Sequence, residues 1–262
     1  MDKIKIVNTH SHMNMIKSIP VEAALANAVN EGVLSIVPAS SPQDIFEVDK
    51  FVKGHDNVYG YLGVFPEEVK DFTDKTLSDM EELIKNNDKI VGIGEIGLDY
   101  YWDKTYIELQ KEVFIKQIKF ANDMNLPINI HSRDAHFDTL EILKKYNKNS
   151  IAIMHCFSGS YEFAKECVKN GIYISLGGVV TFKNAKNAKE VGKNIPIDYL
   201  LLETDDPYLT PVPFRGKENQ PSYVKYVCEE IARLRNTSFD EIAEATTKNA
   251  LKIFGIQLNV VN

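Results

Sequence analysis

Apolar and polar positions along this chain follow two alternating periods. Short β-rich runs fall at Lys3–Thr9, Val33–Pro38, Val58–Val64, Ile90–Glu95, Pro127–His131, Ile151–His155, Ile172–Leu176 and Tyr199–Thr204. Between them lie stretches with helical spacing: Val21–Glu31, Leu77–Asn87, Tyr106–Met124, Phe137–Tyr146, Tyr161–Asn170, Ser222–Arg235 and Phe239–Phe254. Strands separated by helices predict parallel βαβ units, because a parallel crossover needs about a dozen residues or more. Eight such units close into an α/β fold, the (β/α)8 or TIM barrel, whose active sites sit at the C-terminal ends of the strands. The competing architecture is an open doubly wound sheet. It calls for a glycine-rich phosphate loop after an early strand, and this sequence has none. No Pro/Gly/Ser-rich linker or low-complexity run divides the chain, so a single domain over 1–262 is expected.

Composition narrows the class. A chain of 262 residues with 44% apolar and 26% charged residues is an ordinary globular one and long enough to bury a large core. The N-terminus, Met1-Asp2-Lys3-Ile4-Lys5-Ile6-Val7, alternates charge with apolar residues and reads as a strand, not a signal peptide. No window approaches the roughly 20 apolar residues of a membrane span. Cys156, Cys167 and Cys228 are few and unpatterned. They predict a reducing compartment, the cytoplasm, and no disulfide framework. The net charge of −7 argues against holding nucleic acid on a broad basic surface, but leaves room for engaging one strand end locally. Nothing in the sequence marks a membrane or an obligate protein partner.

The histidines carry the chemistry. Of six, His10 and His12 end the first predicted strand, His131 the fifth and His155 the sixth. Glu95 ends the fourth and Asp205 follows the eighth. Strand side chains alternate with period two. Parity therefore puts Ile4, Ile6, Asn8, His10 and His12 on one face. It groups Val91, Ile93 and Glu95; Asn129 and His131; Ile151, Ile153 and His155; and Leu201, Glu203 and Asp205. One histidine at a strand end is usually capped or solvated. Four histidines and two acids at strand ends are hard to assign to packing, because burying them unpaired costs several kcal/mol each. The set reads as a site for divalent cations. His55, in a Gly-His-Asp-Asn turn, and His136, near a helix start, fall outside it and read as structural or solvated.

The ordered motifs also carry a family resemblance. They are Asn8-Thr9-His10-Ser11-His12, Gly94-Glu95-Ile96-Gly97-Leu98-Asp99-Tyr100-Tyr101, His131-Ser132-Arg133, His155-Cys156-Phe157-Ser158-Gly159 and Glu203-Thr204-Asp205-Asp206-Pro207-Tyr208-Leu209. The tail adds Pro211-Val212-Pro213-Phe214-Arg215-Gly216-Lys217, Asn219-Gln220-Pro221 and Thr247-Lys248-Asn249-Ala250. Together they resemble the TatD family of metal-dependent deoxyribonucleases, within the amidohydrolase-like barrels, over nearly the whole chain.

The resemblance implies a two-cation site that hydrolyses phosphodiester bonds, usually from a DNA 3′ end. On the matching positions His10, His12 and Asp205 would hold one cation and His131 and His155 the other, with Glu95 bridging. Paired cations suit in-line displacement and lower the pKa of bound water. Asp205 is the expected group to orient or deprotonate that water. The mixed donor set does not choose among Mg2+, Mn2+, Zn2+ and Co2+. Glu203 is expected to support the ligands from beneath. Arg133 and Arg215 are candidates to grip phosphate, or else surface ion-pair partners. Tyr100, Tyr101 and Trp102 either stack on a terminal base or pack as a lid. Ser158 and Cys156 are not expected to act as nucleophiles.

Two positions depart from the family pattern. Asn8 stands where the family usually has aspartate, and it brings no charge. Phe65, in Gly63-Val64-Phe65-Pro66, stands where the family has histidine. By parity with Tyr59 and Tyr61 it is expected to point inward, and it cannot donate a hydrogen bond. Two other readings therefore stay open: a barrel hydrolase of a small amide, lactone or phosphoester, and a metal-binding module without turnover. The amidohydrolase relatives often carry a modified lysine where this chain has Glu95.

Overall fold

A computed structural model describes residues 4–257. The predicted strand start at Lys3, and the Met1–Lys3 part of the N-terminal pattern, lie outside the described residues. Eight parallel strands run in chain order as a closed barrel: β1 (Ile6–Asn8), β2 (Val33–Pro38), β3 (Val58–Leu62), β4 (Ile90–Asp99), β5 (Ile128–Arg133), β6 (Ala152–Met154), β7 (Tyr173–Leu176) and β8 (Leu200–Leu202). The helices between and after them are α1 (Val21–Asn30), α2 (Asp44–Lys53), α3 (Asp74–Lys85), α4 (Ile107–Met124), α5 (His136–Tyr146), α6 (Tyr161–Lys169), α7 (Lys186–Asn194), α8 (Val224–Arg235) and α9 (Phe239–Phe254).

Two helices escape the sequence reading. In α2, Ile45, Val48 and Val52 are buried at helical spacing, but the charged Asp49 is buried among them and breaks the apolar stripe. In α7 only Ala188, Val191 and Gly192 are buried, too thin an apolar stripe to stand out. Two ends are plainly written. Ser238 caps α9 with a reciprocal Glu241 bond, and Gly255 closes it in the left-handed region at φ 62°.

Contacts group the chain into two compact units. The first takes in Met1–Val37, Cys156–Lys169 and Tyr173–Asn262. Within it β1 pairs with β2 (Ile6 opposite Val33) and with β8 (Asn8 opposite Leu202), and β7 pairs with β8. The second takes in Pro38–His155 and Asn170–Ile172. Within it β3, β4, β5 and β6 pair in that order.

All ten residues of β4 are buried, four beyond its predicted end, so the strand runs on to Asp99. Its pairing with β5 is irregular, with Ile93 opposite Ile128 but Ile96 opposite Ile130. The extra residue breaks strict alternation, so parity does not carry from Ile93 to Glu95 as the sequence suggested. Gly97 follows at φ 145°, where a Cβ would meet the His131 carbonyl oxygen at 2.0 Å. Only glycine lets β4 and β5 approach this closely. Ile151 precedes β6 and is 36% exposed, while Ile153 is fully buried. No helix among the described residues is long and apolar enough to cross a membrane.

Candidate functional site

In the first unit, the ligand candidates lie just past the ends of β1 and β8. The backbone ladder continues beyond both strands: Asp205 N–H donates to the His10 carbonyl at 3.1 Å, and His12 N–H to that of Asp206 at 2.9 Å. Asp205 sits in the left-handed region at φ 54°, a conformation that aspartate tolerates better than most residues. The His10 and His12 Nε2 atoms are 3.0 Å apart. Asp205 Oδ1 lies 3.8 Å from the first and 3.7 Å from the second. The three ligand atoms all lie within 4.8 Å of one another. Two donors each about 2.0–2.2 Å from one cation are separated by roughly 3–4 Å, so this donor set fits a divalent ion.

Beneath this cluster, Asn8 is fully buried. Its amide donates to Thr204 Oγ1 at 2.8 Å, and its carbonyl oxygen accepts Thr204 N–H at 2.9 Å. The Thr204 hydroxyl in turn bonds Asp206. Burial pushes the Asp206 carboxyl up to about 7. Glu203 is buried, and its Oε1 accepts the backbone N–H of Cys156 at 2.6 Å. It therefore holds the chain immediately after His155. Asn219, noted in the sequence only within a tail motif, donates to the carbonyls of Thr204 at 3.0 Å and Tyr208 at 2.7 Å. That fixes the turn carrying Asp205.

In the second unit, Glu95, His131 and His155 converge at the ends of β4, β5 and β6. Glu95 Oε1 lies 3.0 Å from His131 Nδ1 and 3.1 Å from His155 Nε2. The other face of His131 meets a residue the sequence reading did not single out. Asp99, buried at the end of β4, places Oδ2 3.0 Å from His131 Nε2. Burial opposes charge on His131, but the hydrogen bonds to Asp99 and Glu95 outweigh it and raise its pKa. Burial would likewise raise the Asp99 carboxyl, yet His131 and the Tyr101 and Trp102 N–H groups hold it below its usual value. A carboxylate on one imidazole nitrogen fixes which nitrogen remains for a cation, an arrangement typical of metal-binding histidines. Asp99 falls within the Gly94–Tyr101 segment, whose first six residues complete β4. Phe65 does reach this cluster, its ring edge-on to His131 with centroids 4.7 Å apart.

The substrate candidates divide. The Tyr100 hydroxyl donates to Asp138 Oδ2 at 2.8 Å, and Lys111 Nζ also meets that oxygen at 2.9 Å. Burial and the Asp138 bond raise the Tyr100 pKa. The phenol of Tyr100 is thus tied through its hydroxyl to α5. Tyr101 and Trp102 are 50% and 60% exposed. Arg133 packs its guanidinium 3.8 Å over the Tyr101 ring, and Arg215 lies 3.7 Å over Phe182. Arg233 and Arg235, by contrast, are spent on Glu230 and on the Gly192 and Ile195 carbonyls. His55 bonds the Phe51 carbonyl and His136 the Ser132 hydroxyl, each a local structural bond as expected. Cys156, Cys167 and Cys228 form no disulfide.

Known proteins resemble this chain over nearly its whole length. A family model described as TatD related DNase matches residues 7–255. The uncharacterized metal-dependent hydrolase YabD of Bacillus subtilis is 47% identical over 254 residues, covering 96% of this chain and 99% of that protein. The uncharacterized metal-dependent hydrolase YcfH of Escherichia coli is 36% identical over 257 residues, covering 96% of each. The crystal structure of YjjV, a TatD homologue from Escherichia coli, superposes with a TM-score of 0.89 at 30% identity, covering 97% of this chain and 99% of that one. With a matching barrel, a matching family model over nearly its whole length and a convergent histidine–carboxylate donor set, the chain belongs to the TatD family of metal-dependent hydrolases.

Proposed function

We propose that this hydrolase cleaves phosphodiester bonds of DNA, as a cation-dependent 3′-5′ exodeoxyribonuclease acting on single-stranded ends in the cytoplasm. The observation that carries the reading is the donor set of His10, His12 and Asp205, convergent within 4.8 Å in a chain matched by a DNase family model. Those three residues would hold one divalent cation, and Glu95, His131 and His155 would hold another. When bound, such a cation would withdraw charge from a phosphoryl oxygen and lower the pKa of water.

The chain's own residues supply the rest. Asp205 Oδ1, within 4 Å of both imidazole nitrogens, is the acceptor for the proton released when water attacks phosphorus. Asp99 keeps the His131 ring in one orientation through its 3.0 Å bond. Asn8 and Asn219 hold the turn that presents Asp205. Arg133 and Arg215 offer guanidinium edges to phosphate oxygens.

The test is the purified chain on end-labelled single-stranded DNA with Mg2+ or Mn2+, beside Asp205→Asn. We expect stepwise shortening from the 3′ end, slowed about 100-fold or more in the variant. Equal degradation by both proteins defeats the assignment of Asp205. A second reading, hydrolysis of a small phosphoester, lactone or amide, is favoured by one observation: Phe65 packs on His131 where the family pattern has histidine. No degradation of DNA with any divalent metal would transfer the proposal to that reading.

A further inference from the structure

Asp99 makes bonds in two directions. Oδ2 reaches His131, while Oδ1 accepts the backbone N–H groups of Tyr101 at 2.8 Å and Trp102 at 3.2 Å. Gln110 clamps the Asp99 backbone from both sides, at 2.9 Å and 3.0 Å. One buried carboxylate therefore fixes both a candidate ligand and the turn that carries two exposed aromatics. The aromatics are set at an angle, with ring centroids 4.8 Å apart and planes at 87°. The Arg133 guanidinium lies 3.8 Å over Tyr101 and 5.2 Å from Trp102. Among the described residues no acceptor takes its N–H groups, nor the indole N–H of Trp102.

Such a group is an unusual thing to leave on a surface. Burying the rings in the fold would have released more solvent, and pairing Arg133 with an acid would have spent its donors. Its chemistry matches a flat aromatic ligand with an anion beside it: a π face for stacking, and a planar cation for phosphate. We infer that Trp102 presents the stacking face of a platform for a nucleobase of single-stranded DNA, with Tyr101 set across it at 87° and carrying Arg133. Arg133 takes the adjacent phosphate, and Asp99 ties the platform to His131. This names a binding element for the substrate class proposed above and rests on that reading for the identity of the strand.

The test needs neither cation nor turnover. The chain contains one tryptophan, so its indole emission reports Trp102 alone. The protein is titrated in EDTA with a short single-stranded oligonucleotide, and in parallel with an abasic strand of equal length. The expected result is saturable quenching by the base-bearing strand and little by the abasic one. Strand affinity, read by anisotropy of a labelled oligonucleotide, should fall about fivefold or more in Trp102→Ala and largely recover in Trp102→Phe. Trp102 is 60% exposed, so these substitutions leave the packing nearly intact. Emission that stays constant while the strand binds overturns the platform. So does equal quenching by the abasic strand, or quenching that follows self-association in sedimentation. Failure here leaves the hydrolase reading standing, and failure of hydrolysis leaves the binding result standing.

Discussion

In the cluster of His10, His12 and Asp205 the carboxylate stands 3.7–3.8 Å from both imidazoles, whereas Glu95 lies 3.0–3.1 Å from His131 and His155. The first cluster is placed by main-chain bonds that extend the ladder past β1 and β8, with Asn8 and Asn219 bracing the turn. The second has main-chain placement as well, with Glu95 within β4, His131 within β5 and His155 N–H donating to the Ile130 carbonyl, and in addition holds His131 between two carboxylates. The difference teaches where each is fragile. An imidazole oriented by charged hydrogen bonds on both nitrogens loses orientation as soon as a partner is neutralised, whatever the backbone beneath it does.

Substitutions can break or sharpen this contrast. Asp99→Asn should have the largest effect, because it keeps the shape and removes the charge that orients His131. Calorimetric titration with Mn2+ should show affinity falling about 10–100-fold for one binding event and the other unchanged. Equal weakening of both events would erase the distinction between the clusters. Asn8→Asp tests the other side. The buried amide both donates to and accepts from Thr204, and a carboxylate cannot do both. Urea unfolding with chelator present should show a loss of about 1–3 kcal/mol. An unchanged midpoint would mean that the Thr204 hydroxyl simply reverses its bond. Ser238→Ala should have the smallest effect. Removing the α9 cap should cost about 1 kcal/mol by thermal melt and leave both Mn2+ affinities as they were. A change in affinity there would show that the cluster of His10, His12 and Asp205 depends on a distant helix end.

The ligand residues were legible because histidine and acid at strand ends are chemically distinct from the apolar runs before them. Asp99 was not, because the predicted fourth strand ended at Glu95 and left Asp99 looking like loop. Its role depends on a partner 32 residues away. Tyr100 and Tyr101 were indistinguishable as neighbours in sequence. Only Asp138, brought in by α5, separates a tethered ring from an exposed one. Phe65 was expected to point inward, and its edge contact with His131 is the tertiary form of that expectation. The even alternation assumed through Glu95 failed because an extra residue in β4 shifts the register with β5.

Sequence alone determined the alternation of strand and helix, the barrel class and the six candidate ligands. Each of these is written in local periodicity or in the chemistry of a single side chain. Tertiary structure alone decided how those ligands are held. It joined Asn8 to Thr204 across 196 residues, set Asp99 against both His131 and the aromatic turn, and left Trp102 open. Such pairings depend on which strand ends become neighbours in space, and no local pattern encodes that.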